Sequence, residues 1–167
     1  MVQIFPQAIL KNLVICVSGV GARSGFSALI SDTLPDLEII EKSQCFPLKL
    51  YEPVAASATA NASSTLFDID ANSTTSTTAD GRYTVRDGIT DAGLQHFIAA
   101  YSTEKHTAKI TKDALFYYIY GLLHSPAYKA RYADNLSKEL PRIPCVKTFA
   151  DFQAFSAAGV ALAALHL

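Results

Sequence analysis

The sequence predicts an α+β domain: a small N-terminal antiparallel sheet with a Gly-rich hairpin tip, followed by a C-terminal bundle of about four helices. Three features predict it. Residues 1–52 hold short apolar, partly β-branched runs broken by Gly and Pro, residues 83–167 place apolar residues at helical spacing behind good capping residues, and the stretch between them is mostly Ala, Ser, Thr and Asn. Three sections follow: a β-rich part over 1–52, a low-complexity loop over 53–82 and a helical part over 83–167.

Residues 12–18, NLVICVS, form an apolar run of strand length that ends in Gly-rich SGVGARSG, and strand character resumes over residues 26–31. Two strands joined by a flexible tip are expected there, with Arg23 and Ser24 at the tip. The spacing Gly19-x-Gly21-x-x-x-Gly25 superficially resembles a dinucleotide loop. No helical period follows it and no Gly-Lys-Ser/Thr occurs, so a phosphate-cradling P-loop or Rossmann turn is not predicted. A turn at residues 33–36, a short strand over 37–40 and a further strand over 45–51, with Pro47 marking an edge or bulge, complete the sheet. Lys49 alternates with Leu48 and Leu50 and is expected to face out of it. Four such strands suggest an antiparallel sheet with one polar face, a platform suited to a duplex.

Residues 54–80 change character abruptly, with almost no charge and one apolar island, Leu66-Phe67-Asp68-Ile69. Such a composition buries too little to order itself, so a long mobile loop is expected. Order returns at Gly81. Thr90 caps a helix with the apolar stripe Leu94, Phe97, Ile98 and Tyr101, and the polar, basic STEKHTAK leads on to the next.

Thr111 is a good N-cap, and Asp113 sits in the first turn, where the helix dipole favours a carboxylate. Leu115, Tyr118, Ile119 and Leu122 then fall at i, i+3, i+4 and i+7, while Phe116, Tyr120 and Leu123 cover most of the remaining circumference. A helix apolar nearly all round belongs in a core. Ser125-Pro126 restarts a second helix that is expected to run to about Leu140 and stop at Pro141, with Tyr128, Tyr132 and Leu136 inward. Arg131 and Lys138 are seven apart, so they share an outward face that Arg142 extends. After Pro-Arg-Ile-Pro at residues 141–144, Thr148 with Asp151 makes a weak capping box, and Phe149, Phe152, Phe155 and Leu162 follow helical spacing. Gly159 weakens this helix by about 1 kcal/mol relative to Ala, which close approach of another helix would explain.

With 167 residues, half of them apolar and 17% charged, the chain can bury one ordinary core or two small ones. No apolar run approaches the ~20 residues of a membrane span, and the first residues lack the order of a signal peptide, so the cytoplasm is the expected location. Three cysteines, Cys16, Cys45 and Cys145, lie far apart in sequence and suggest neither a disulfide framework nor a zinc site. The net charge of −1 argues against a nucleic-acid partner, but the distribution does not. Residues 104–147 hold Lys105, Lys109, Lys112, Lys129, Arg131, Lys138, Arg142 and Lys147 against four acids, which opens the way to phosphate contacts. The competing explanation is a solvated helical surface with i,i+3 pairs such as Arg131–Asp134. The neighbours His124 and Ser125 point in different directions at a helix break and are not expected to act as a base and nucleophile. His96, His106 and His166 look isolated.

The wording of residues 110–144, ITKDALFYYIYGLLHSPAYKARYADNLSKELPRIP, together with NLVICVSGVG at 12–21 and QCFPL at 44–48, resembles the C-terminal specificity region of type ISP restriction–modification enzymes. These bacterial single-chain enzymes join a nuclease, a helicase-like ATPase, an adenine-N6 methyltransferase and a target recognition domain. The resemblance covers roughly residues 4–52 and 88–167. It implies a piece of a larger enzyme, without catalytic groups of its own, that binds double-stranded DNA and directs methylation and cleavage by the methyltransferase and helicase-like parts. The family's Asn-Pro-Pro-aromatic tetrapeptide is absent here, as are a Walker lysine motif and a clustered nuclease pattern. S-adenosylmethionine, ATP and Mg belong to the parent enzyme by the same resemblance, and no cofactor or metal is expected in this chain. Arg23, Ser24 and Lys49 are the candidates for base reading; Lys129, Arg131, Lys138, Arg142 and Lys147 are the candidates for phosphate contact. The alternative is a docking module that packs against the rest of the enzyme without touching DNA. An exposed patch of Tyr117, Tyr120, Phe149 or Phe152 would mark it.

Overall fold

The computed structural model describes residues 3–36, 38–54, 76–102 and 110–167. Most of the expected mobile loop, its Leu66–Ile69 island, Leu37, and the basic link with Lys105 and Lys109 lie outside the described residues.

Among the described residues, six strands and five helices follow in order: β1 (Val14–Val17), β2 (Ala28–Ser31), β3 (Gln44–Pro47), β4 (Lys49–Pro53), β5 (Ser76–Thr77), β6 (Tyr83–Asp87), α1 (Asp91–Ala100), α2 (Lys112–His124), α3 (Pro126–Arg131), α4 (Ala133–Leu136) and α5 (Phe149–His166). The mixed class, sheets first and helices after, is as the sequence predicts. The sheet is not one but two, each three-stranded and antiparallel, in the orders β2-β1-β3 and β4-β6-β5.

The expected strand over 45–51 is divided at Leu48, and its halves serve different sheets. Pro47 has no N–H to donate, and its carbonyl lies where a Cβ on Gly88 would stand, 1.9 Å away. That close approach lets the β6–α1 junction cross the strand. Leu48 bridges the sheets, its N–H donating to Leu13 O at 2.7 Å and its carbonyl accepting from Gly88 N at 2.8 Å. The buried side chain of Asn12 pins the same crossing, donating to Ile4 O and Lys49 O and accepting from Lys49 N. The strand expected over 37–40 is also absent where described, since residues 38–40 form turn and bend. Residues 76 and 77, placed in the low-complexity loop by composition, pair with β6 as a short edge strand.

All four residues of β1 are buried. Alternate side chains of a strand point to opposite faces, so both faces of this sheet are covered at its centre, and it offers no open polar platform. Ile15, Val17 and Ile30 belong to the same core as Phe116, Tyr118 and Leu123 of α2. Across β1 and β3, Cys16 lies opposite Cys45 with sulfurs 3.6 Å apart, so the two cysteines distant in sequence are neighbours in space. Both are free thiols, and burial pushes that of Cys16 up to about 12.

The helix starts fall where the capping residues place them. Thr90, Thr111, Ser125 and Thr148 each accept from an amide of the following first turn, on Gly93, Ala114, Tyr128 and Asp151. α2 and α5 form the centre of the helical half. Gly121 and Gly159 meet at their crossing, where a Cβ on Gly159 would stand 1.9 Å from Tyr117 O and one on Gly121 2.4 Å from Phe155 O. The rings of Tyr118 and Phe152 stack beside them with centroids 4.8 Å apart.

The second predicted helix breaks at Tyr132 (φ −112°, ψ 19°), leaving α3 and α4. Its continuation turns back as an extended strap over residues 141–147. Pro141 and Pro144 keep that strap out of a helix, and three tyrosine hydroxyls satisfy alternate carbonyls along it. Tyr128 donates to Arg142 O, Tyr118 to Pro144 O and Tyr101 to Val146 O, at 2.8, 2.6 and 3.0 Å. Among the described residues, no helix is long and apolar enough to cross a membrane.

Candidate nucleic-acid interface

Residues 18–27 connect β1 to β2, and the loop is held from outside by the dipeptide Glu41-Lys42. One oxygen of Glu41, Oε2, accepts from Arg23 N at 2.8 Å, Ser24 N at 3.1 Å and Ser24 Oγ at 3.2 Å. The Glu41 carbonyl accepts from Gly19 N at 3.1 Å, and Lys42 Nζ donates to Gly21 O at 3.3 Å. Gly19 is required sterically, because a Cβ there would lie 2.2 Å from Lys42 O; Gly21 and Gly25 are required conformationally, at φ of 74° and 79°. Lys42 itself sits at φ 53°. Hydrogen bonds from Ser24 and Arg23 hold the Glu41 carboxyl below the ordinary carboxylate range, with the Ser24 amide contributing most. Arg23 and Ser24 are exposed at the surface of this braced loop.

Gly21 N also donates to Ser137 O at 3.3 Å, which ties the tip to the segment just past α4. Lys138, the next residue, is exposed. Arg23, Ser24, Lys42 and Lys138 are therefore carried by segments that touch one another. Sequence reasoning missed Glu41 and Lys42, which lie in an unremarkable polar turn and act only through contacts with residues about twenty positions earlier.

The other cations divide differently from the single outward face predicted for one long helix. The break at Tyr132 removes the regular spacing between Arg131 and Lys138. Arg131 stands 5.6 Å over the Tyr132 ring and shares a groove between α3 and the start of α5 with Tyr128, Pro144 and Lys147. Arg142 lies on the strap with its side chain 82% exposed and pairs with Glu139 at 3.0 Å, a contact too solvated to hold it firmly. Lys129 is half-buried.

Lys49 is half-buried and engaged in an ion pair within the domain. It lies opposite Asp87 in the β4–β6 register and its ammonium pairs with that carboxylate, which also accepts from Lys112 at 3.1 Å; Lys112 reaches Asp91 as well. Burial acts to raise the Asp87 carboxyl, but the hydrogen bonds and charges of the two lysines outweigh it and hold it low. This chain of ion pairs joins the second sheet to the starts of α1 and α2.

Among the described residues, no group of three or more His, Cys, Asp or Glu side chains is placed to hold a metal ion. An apolar cavity of about 170 Å³ is lined by residues such as Ile15, Phe46, Phe116 and Leu123 and carries no titratable side chain. His124 and His166 are not isolated, since their rings lie 5.5 Å apart and Tyr120 hydrogen-bonds to His166 Nδ1. Burial depresses His124 to about 4, so it stays neutral near pH 7, with its Nε2 lacking a partner.

The sequence matches the type ISP C-terminal specificity domain over residues 2–167. The chain belongs to that family. Three solved structures are similar to it in sequence and in fold. A DrdV–DNA complex is 33% identical with a TM-score of 0.71, covering 98% of this chain and 13% of that one. A nuclease-deletion mutant of the type ISP restriction–modification enzyme LlaGI, in complex with a DNA substrate mimic, is 31% identical with a TM-score of 0.62, covering 99% and 11%. The ATP-dependent type ISP restriction–modification enzyme LlaBIII bound to DNA is 28% identical with a TM-score of 0.69, covering 98% and 9%. No curated protein sequence matches the chain. The specificity domain thus spans roughly a tenth of the length of these enzymes.

Proposed function

We propose that this specificity domain recognises a DNA target sequence on behalf of a larger restriction–modification enzyme, is not catalytic itself, and directs adenine-N6 methylation and cleavage by the methyltransferase and helicase-like parts of that polypeptide. The observation that carries this is the likeness, at 31–33% identity over nearly the whole chain, to domains of enzymes solved on DNA. The braced tip gives it a physical form. A narrow loop with Arg23 and Ser24 exposed fits a DNA groove, where Arg pairs with guanine O6 and N7. Lys42 and Lys138 flank it for phosphate contact, and Arg131, Lys147, Arg142 and Lys129 hold the duplex further along. Of the three base-reading candidates Lys49 is the weakest, because its ammonium must leave Asp87 to reach a base. S-adenosylmethionine, ATP and Mg bind elsewhere in the longer enzyme, and this domain holds none of them.

The test is the salt dependence of binding to a short duplex, followed by fluorescence anisotropy. Log affinity falls linearly with log salt, and removing one phosphate contact lowers the slope by about 0.9. Arg131→Ala and Lys147→Ala are expected to do so for all sequences alike. Slopes unchanged in both variants, or no binding even at low salt, would overturn the assignment.

A docking role fits a different face. The four aromatics that would have marked it are not exposed: Tyr120, Phe149 and Phe152 are buried and Tyr117 is half-buried. Instead Leu34 and Leu167, 72% and 56% exposed, flank a groove with Phe5 and Leu10. This apolar edge suits packing against the rest of the polypeptide and leaves the tip open for DNA.

A further inference from the structure

The contact between Glu41 and the tip reaches beyond bracing, because it fixes which way the Ser24 hydroxyl points. A serine hydroxyl has one proton to donate and two lone pairs to accept with. In this structure the proton is directed at Glu41 Oε2, 3.2 Å away, and the same oxygen receives the amides of Ser24 and Arg23. The same hydrogen bonds hold the Glu41 carboxyl below its ordinary range, so near neutral pH it is a carboxylate that accepts and does not donate. What remains at Ser24 is acceptor capacity. Arg23, one residue away, offers only donors.

Resting on the DNA-recognition function proposed above, we infer that Glu41 is the positioning residue of the tip and sets its hydrogen-bond polarity. Ser24 accepts from an exocyclic amino group, adenine N6 or cytosine N4, beside the carbonyl-type edge that Arg23 reads. In the major groove, guanine O6 and thymine O4 are acceptors, so a serine whose proton is committed to Glu41 discriminates against them at its contact. Serine otherwise accepts either kind of edge. Glu41 is thus the group that turns an indifferent residue into a selective one.

The experiment is selection of bound sequences from a duplex pool with a randomised centre, using the 167-residue chain and its Glu41→Ala, Glu41→Gln and Ser24→Ala variants. The original chain is expected to enrich a motif in which the position relaxed by Ser24→Ala bears A or C on the contacted strand. Glu41→Ala is expected to relax that same position by roughly tenfold, within the range of one base contact, and the Arg23 position with it, since the tip loses the acceptor of both backbone amides, while bulk duplex is bound no more weakly because an acidic group beside the phosphates is gone. Glu41→Gln, whose amide oxygen still accepts from the two backbone amides, keeps the tip in place and restores most of the preference at the Arg23 position. Replacing the selected adenine by purine, which lacks the amino group, or the selected cytosine by N4-methylcytosine, whose one remaining N4 hydrogen stays in the base pair, is expected to match the effect of Ser24→Ala. A motif left intact by Glu41→Ala, or binding unchanged when the amino group at the Ser24 position is removed or blocked, would overturn the inference while leaving the DNA function standing. Enrichment of no motif by the original chain would overturn both. Ser24→Ala keeps the test available should Glu41→Ala fail to fold.

Discussion

Replacing Gly159 by Ala sets two effects of known sign against each other. Ala is the better helix former, by about 1 kcal/mol in an exposed helix interior, so propensity alone predicts a more stable α5. The crossing with α2 predicts the reverse. A Cβ at Gly159 would stand 1.9 Å from Tyr117 O, whereas ordinary contact begins near 3.4 Å, so the helices must part locally by about the difference. The obstructing atoms, Tyr117 O and C and Gly121 N, are all backbone, and no side-chain rotation relieves them. Parting α2 from α5 also loosens the Tyr118–Phe152 stack and the Ser156 hydroxyl, which donates to Ala114 O at 2.9 Å. Overpacking a core typically costs about 1–3 kcal/mol. The upper end applies here because the clash is with backbone, leaving a net loss of about 2 kcal/mol after the gain in propensity. For a domain of this size that lowers the melting temperature by about 4–8 °C. Urea unfolding followed by far-ultraviolet circular dichroism measures it directly. Gly121→Ala is expected to behave likewise, and the two together to cost less than their sum, since helices already parted admit the second methyl. A Gly159→Ala chain as stable as the original would refute the close crossing as the reason for glycine.

Acid is expected to weaken the fold through His124. Burial lowers its folded pKa to about 4 from 6.5, so between those values the unfolded chain binds the extra proton, and stability is full above pH 6.5 and lost as pH falls towards 4. The shift sets a ceiling of about 3 kcal/mol, reduced to about 1–2 kcal/mol because the ring is only partly buried. His124→Gln should flatten that part of the stability–pH curve, and an unaltered curve would exclude His124 as its source. Asp87→Asn removes the shared partner of Lys49 and Lys112, whose side chain is 13% exposed, and is expected to cost about 1–2 kcal/mol in thermal unfolding. Loss of nothing measurable would show that Asp91 alone suffices for Lys112.

Local chemistry carried the parts of the fold that sequence spacing could foresee. Thr90, Thr111, Ser125 and Thr148 cap helices through hydroxyls that reach only the next turn, and Gly159 in a helical run betrays a close neighbour without naming it. Long-range contacts decided the rest. The division at Leu48 depends on Gly88 and Asn12, forty and thirty-six positions away, and the break at Tyr132 accompanies a strap satisfied by Tyr101, at the C-cap of α1, and Tyr118 of α2. The candidate interface divides along the same line. Arg23 and Ser24 stand out beside glycines, whereas Glu41 and Lys42 reveal themselves only once the chain folds back over the tip. Lys49 illustrates what alternation leaves out: it places a side chain on a face but does not show that Asp87 stands opposite on β6.

The most direct test of the central claim is to follow backbone amide NMR shifts of the specificity domain as a duplex is added. The DNA-recognition account predicts that the largest changes fall on residues 21–25, Lys42 and Lys138, with smaller ones along Arg131 and Lys147. Changes confined to the edge around Leu34 and Leu167, or none at any duplex concentration, would contradict it.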